Sequence, residues 1–244
     1  MIQAYVKSDT GKVREINQDS YYISQPLDEI QLFMVADGMG GCNGGEIASK
    51  LAIEKAKNYI ENNFAQTDKD KDSIIQLIGS SMEYANMIVY EKSQETKELE
   101  GMGTTLDICL IYNNKAYIGH IGDSRIYRIR KEFIRKLTQD HSYVQKLVKD
   151  GTITQEEAEH HPRKNMLMKA LGCNAFIEPD VAVKGFLKDD IIIMCTDGLT
   201  NLVKQDDLYK LAKENIEFAP KKLVNMANEN GGYDNITVMV IKNI

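Results

Sequence analysis

Apolar runs with the two-residue period of strands alternate along this chain with stretches of helical period, and glycine or aspartate punctuates each change. Residues 2–7, 19–24 and 30–36 read as strands. The third is nearly all apolar, so it should be covered on both faces. Residues 46–64, with Ile47, Leu51, Ala56 and Ile60, and residues 73–92, with Ile74, Ile78, Met82 and Ala85, carry helical stripes. The middle is sheet: 104–112, 115–121, 125–130 and 133–137, with Asn113-Asn114 a hairpin turn. A polar, irregular insertion follows over 138–172, with short helices at 142–149 and 155–159, and reads as a mobile flap rather than core. Strands at 180–186 and 190–196, helices at 206–215 and 220–228, and a strand at 236–242 complete the pattern.

Hairpins grouped with paired helices, without a regular βαβ alternation, predict an α+β fold with antiparallel sheets. No repeat or linker divides the 244 residues, so 1–244 is read as a single domain. An apolar share of 43% suffices for a sizeable core. The net charge of −6 argues against a nucleic-acid or membrane-surface binder, while leaving room for a local basic pocket. The cysteines Cys42, Cys109, Cys173 and Cys195 are scattered without CxxC or paired-histidine spacing, which disfavours disulfides and zinc and favours a cytoplasmic setting. No secretory signal opens the chain, and no apolar run reaches the ~20 residues of a membrane span.

The candidate chemistry lies in five acidic turns. Asp37 and Asp197 each end an apolar run, Asp19 and Asp234 each stand just before a strand, and Asp123 stands just after one. Convergence of these carboxylates would require cations between them, because close like charges cannot all stay ionised. Oxygen-only ligands favour Mg²⁺ or Mn²⁺, and the Gly38 carbonyl could join them. Two such ions ~4 Å apart would hold a bridging water and aim it at phosphorus. Arg14 would grip two phosphate oxygens with its guanidinium fork.

The motifs RxxNQD (from Arg14), DGMGG (from Asp37), GTT (from Gly103), GDSR (from Gly122), DGLT (from Asp197) and GGYDNIT (from Gly231) occur in this order over nearly the whole chain. The set resembles the metal-dependent protein phosphatase family (protein phosphatase 2C, PPM) in its compact bacterial form. The resemblance implies a four-layer αββα sandwich, a two-metal centre in the cleft between the sheets, and hydrolysis of phosphoserine and phosphothreonine on proteins. It further implies that Asp37 bridges both ions with the Gly38 carbonyl on one, and that Asp197 and Asp234 ligate the other. Asp19 would act through outer-shell waters, Arg14 would bind substrate phosphate, and Asp123 with Asp197 would hold a weaker third ion. The flap at 138–172 matches the family's. The expected partners are phosphorylated proteins, with a bacterial Ser/Thr kinase and its substrates in opposition, and the expected state is a monomer.

Two positions depart from the family's pattern. Met39 stands where eukaryotic relatives carry a general-acid histidine, so the leaving group must be protonated by metal-bound water or by the substrate's surroundings. Cys42 stands where many bacterial members have histidine, and no role follows for it beyond an oxidisable thiol near the cleft. Other residues read as structural. Asp107 should face solvent on its strand, His120 should be a hydrogen-bonded, partly buried residue, and His160-His161 should be solvated. Met166-Leu167-Met168 should pack a short helix, and Lys69 and Lys71 belong to a solvated connector. Alternatives to the enzyme are a pseudophosphatase that only binds partners, or another two-metal phosphoester hydrolase such as a phosphodiesterase.

Overall fold

The computed structural model describes residues 1–25, 30–39 and 44–244. Cys42 lies outside them. Among the described residues eleven strands form two antiparallel sheets. The first contains β1 (Ile2–Asp9), β7 (Arg125–Arg130), β8 (Phe133–Lys136), β10 (Ile191–Cys195) and β11 (Ile236–Asn243), ordered β1-β11-β10-β7-β8. The second contains β2 (Asp19–Ile23), β3 (Gln31–Met39), β5 (Leu106–Tyr112), β6 (Lys115–Ile121) and β9 (Asp180–Gly185), in that order, with the short β4 (Gly103–Thr104) on the end of β3.

Strand alternation sorts the apolar residues into three cores. Phe33 and Val35 of β3 meet Ile192 and Met194 of β10 and Met239 and Ile241 of β11 between the sheets. Their chain neighbours Leu32, Met34 and Ala36 point the other way, against α1 (Gly45–Phe64) and α2 (Lys71–Ser93). Ile191, Ile193, Val238 and Val240 pack beneath α6 (Gln205–Glu214) and α7 (Ala219–Glu229). Layers of helix, sheet, sheet and helix result: the αββα sandwich that the resemblance implied. Each fully buried Ile, Leu, Met or Phe contributes about 1.5–3 kcal/mol, and the apolar run Leu32 to Ala36 within β3 is explained because both its faces are covered.

Local chemistry fixes the connections. Asn113 and Asn114 adopt φ of 47° and 57°, the left-handed pair of a tight hairpin turn between β5 and β6. Asp70 caps α2 by accepting from the amides of Asp72 and Ser73. In the flap, α3 (Tyr143–Lys149) and α4 (Gln155–Glu159) form at the expected places, α4 with a Thr154–Glu157 capping box.

Several expectations need correction. The third strand continues past Ala36 to Met39, because β4 pairs with its end. A one-turn helix, α5 (Asp197–Thr200), follows β10. Asp107 is fully buried rather than solvent-facing, because His120 stands directly opposite on β6 and bonds it. Met166 and Met168 lie outside any helix and are about half exposed, at 51% and 48%. The connector 65–72 is solvated as expected, with Lys69 also donating to the carbonyls of Phe64 and Thr67 at the end of α1. The flap's two ends belong to the core region: Thr138, Asp140, Ser142, Ala170 and Leu171 are all buried.

Candidate metal centre

The first two carboxylates come from neighbouring strands, where Asp19 opens β2 directly opposite Asp37 of β3. Asp197 begins α5, and Asp234 stands two residues before β11, which pairs with β10. Asp19 crosses from one sheet to the other. Its Oδ2 accepts from Thr196 Oγ1 at 3.0 Å and Thr237 Oγ1 at 2.6 Å, while its Oδ1 is buried without a partner among the described residues. Asn235 binds the loops together: its Oδ1 accepts from the Gln18 amide at 2.9 Å, and its Nδ2 donates to the carbonyls of Thr10 and Ile16 at 2.9 and 3.0 Å.

Gly38 follows Asp37 in a passage too narrow for any side chain. A Cβ there would fall 2.0 Å from the Gly45 carbonyl oxygen and 2.7 Å from that of Gln18. Backbone is therefore what this position can offer, in keeping with its carbonyl as a ligand.

The carboxylates feel one another. Burial, with the charges of Asp19, Asp197, Asp123 and Asp234 next, holds Asp37 well above the ordinary carboxylate range. Burial lifts Asp19 to about 7 although the Thr237 and Thr196 hydroxyls oppose it, and Asp197 and Asp234 add to the rise. Asp197 is raised by burial and then by Asp234, against hydrogen bonds from Asn201 and with Asp37. Asp123 is pushed up to about 8 by burial and then by Asp197 and Asp140, with Arg125 opposing. The five acids predicted from sequence thus share one electrostatic neighbourhood.

Arg14 stands at its rim. Its Nη2 donates to Asp234 Oδ2 at 2.9 Å and its Nε lies 2.9 Å from Oδ1, a forked contact with a carboxylate of the kind expected for phosphate. Among the described residues no three His, Cys, Asp or Glu side chains close into a ready ligand cage, and Asp234 faces Arg14. The residues nevertheless fit divalent cations: the donors are all oxygen, one buried carboxylate oxygen is orphaned, and the shared repulsion is what a cation relieves.

A family model described as protein phosphatase 2C matches residues 11–230. The chain belongs to the protein phosphatase 2C family. Among this phosphatase's relatives, the serine/threonine phosphatase of Listeria monocytogenes serotype 4b is 33% identical over 244 residues, covering 99% of this chain and 96% of the relative. The crystal structure of the serine/threonine phosphatase Stp1 from Staphylococcus aureus is similar with a TM-score of 0.92 at 32% identity, covering 100% of this chain and 96% of that one. The catalytic domain of the serine/threonine protein phosphatase PstP, solved with two manganese ions, gives a TM-score of 0.85 at 30% identity, covering 99% and 97%.

Sequence reasoning missed the residues that hold the acids in place. Thr196 and Thr237 orient Asp19, Asn235 staples the loops, and Asp140 takes Arg125 and Lys136. The Asp107–His120 pair was recoverable, since the two are equidistant from the Asn113–Asn114 turn and must face each other across the hairpin. Its Nδ1–Oδ1 contact is 2.6 Å, and His120 Nε2 donates to the Gln139 carbonyl at 3.0 Å. His120 is hydrogen-bonded as expected and more deeply buried, at 1% exposure.

Proposed function

We propose that Asp37, the Gly38 carbonyl, Asp197 and Asp234 hold two divalent cations, with Asp19 acting one shell out and Arg14 binding the substrate's phosphate. The chain is a metal-dependent protein-serine/threonine phosphatase. The observation that carries the site assignment is the meeting of Asp19, Asp37, Asp197 and Asp234, from four remote segments, in one another's fields beside Arg14. Divalent cations bound there supply a nucleophile at neutral pH and offset the charge of the phosphoryl group.

This chain's own residues do the rest. Arg14 exchanges its forked contact with Asp234 for two phosphate oxygens and so orients the phosphorus. Asp19, fixed by two hydroxyls, presents its free Oδ1 to the outer hydration of the site. Met39 has no proton to give, so the departing seryl or threonyl oxygen takes its proton from water or from the substrate's own surroundings. A pseudophosphatase reading is disfavoured because Asp37, Asp197 and Asp234 are all in place.

The finer reading is Mn²⁺ or Mg²⁺ as the ions, with a weaker third held by Asp123 and Asp197. The span 1–244 would work as one catalytic domain and as a monomer in the cytoplasm, on phosphoproteins made by a Ser/Thr kinase. No described helix is long and apolar enough to cross a membrane. The deciding experiment is turnover of p-nitrophenyl phosphate and a phosphothreonine peptide with Mn²⁺. Chelator should abolish it, and Asp37→Asn should lower kcat at least ~10³-fold. Activity indifferent to chelator or to Asp37→Asn would refute the assignment.

A further inference from the structure

The GTT motif has no part in the chemistry above, yet it grips the backbone of Asp37. The register running from Val35–Asp107 to Gly38–Thr104 sets Asp37 opposite Thr105. A regular antiparallel rung would exchange two backbone bonds here. Only one forms, from the Thr105 amide to the Asp37 carbonyl at 2.9 Å. The Asp37 amide donates instead to Thr105 Oγ1 at 2.9 Å. The Thr105 carbonyl, displaced from the rung, accepts from Thr104 Oγ1 at 2.8 Å, and the same hydroxyl lies 2.9 Å from the Asp37 carbonyl oxygen. The ladder opens at the residue assigned to bridge the ions, and two hydroxyls hold the gap.

Thr105 also faces the other way. Its Oγ1 is 2.8 Å from Ser124 Oγ, and both residues are buried. Its methyl and Cβ lie against Gly122: a Cβ on that glycine would fall 2.4 Å from Thr105 Cγ2 and 2.6 Å from its Cβ. Gly122 has φ of 115°, closed to side chains on two counts. Gly122 and Ser124 flank Asp123. One side chain therefore touches the peptide of Asp37 with its oxygen and the loop of Asp123 with its oxygen and methyl.

We infer that Thr105 is a positioning residue that sets Asp37 and couples it to the Asp123 loop. The inference rests on the two-ion reading above. Buried hydroxyls of this sort orient a ligand through its backbone, and loss of such outer partners typically weakens metal binding by about 10–100-fold.

The two halves of the side chain can be removed separately. Thr105→Val keeps the shape and discards the hydroxyl, whereas Thr105→Ser keeps the hydroxyl and discards the methyl. Mn²⁺ binding is measured by calorimetry, and melting is measured in chelator. Thr105→Val should bind Mn²⁺ about 10–100-fold more weakly. Thr105→Ser should stay close to the parent chain. Equal affinity of the two variants overturns the inference, as does a Thr105→Val protein that melts lower but binds Mn²⁺ as before, since that is a purely structural effect. If Thr105→Val does not fold, Ser124→Ala removes only the onward partner and should still weaken binding; unchanged affinity there is equally fatal. Asp37→Asn serves as the control. Mn²⁺ binding that survives it defeats the two-ion reading itself, whereas binding lost in Asp37→Asn but intact in Thr105→Val defeats only the role of Thr105.

Discussion

At Arg14 a guanidinium that half faces solvent, with 53% of its side chain exposed, is forked onto Asp234 rather than left free. An exposed ion pair of this kind contributes about 0–1 kcal/mol, so its geometry matters more than its stability. A carboxylate and a phosphate present similar paired oxygens, and the fork serves either. Arg14→Ala should therefore leave the melting temperature within about 4 °C, because little stability is lost. It should raise KM for a phosphopeptide at least ~10-fold, by removing a charge-assisted pair of hydrogen bonds. Steady-state kinetics with Arg14→Lys alongside decides the point: lysine keeps the charge and loses the fork, so full rescue by lysine would show that geometry is not what Arg14 supplies. The meeting of the acids was legible in part because Asp37, Asp123 and Asp197 carry a local mark, aspartate beside glycine where an apolar run ends. Asp107 was misread because a charged residue in a strand looks exposed until its partner is placed, and that partner lies on another strand.

Among the elements, the flap shows where a sequence pattern stops being informative. Its short helices were readable from their periods and caps, since those signals are local. Its attachments were not, because every one joins distant residues. Asp140 accepts from Arg125 Nε at 3.0 Å and Nη2 at 2.7 Å and from Lys136 at 3.0 Å, which holds its carboxyl below the ordinary range against the cost of burial. The His141 amide donates to the Gly122 carbonyl at 2.7 Å, and at the far end Leu171 and Thr104 exchange backbone bonds at 2.9 and 3.0 Å. The flap is thus rooted on the loop of Asp123 and on the strand beside Asp37. Asp140→Ala would strand the largely covered Arg125 without its partner, a loss of about 3–5 kcal/mol. In a chain of this length that lowers the melting temperature by roughly 6–20 °C. Calorimetric melting is the check. A drop below about 2 °C would mean that the stem is held by its backbone bonds alone.

For the whole molecule, the acid cluster sets how stability depends on pH, and bound cations oppose that dependence. An unfolded aspartate has a pKa of about 3.9, whereas Asp19 and Asp123 are lifted to about 7 and about 8, and Asp37 and Asp197 are also raised. Between those values the folded chain binds more protons than the unfolded one. The stability present below pH ~4 is therefore lost as pH rises through about 7 to 8. His120, raised by Asp107 and the Gln139 carbonyl despite its burial, acts in the same direction. His141, lowered by burial and then by His120, acts in the opposite one near its ordinary pKa. Four acids outweigh one histidine, so in chelator the melting temperature should fall from pH 5 to pH 8. Cations bind only the ionised acids, so Mn²⁺ should stabilise little at pH 5 and more at pH 8. At 100 times its dissociation constant the gain approaches about 2.7 kcal/mol, roughly 5–11 °C for a chain of this size. Melting scans at four pH values, with chelator and with Mn²⁺, distinguish the cases. The two curves should diverge as pH rises; parallel curves would mean that the ions do not bind where these carboxylates meet, whatever the enzyme's activity.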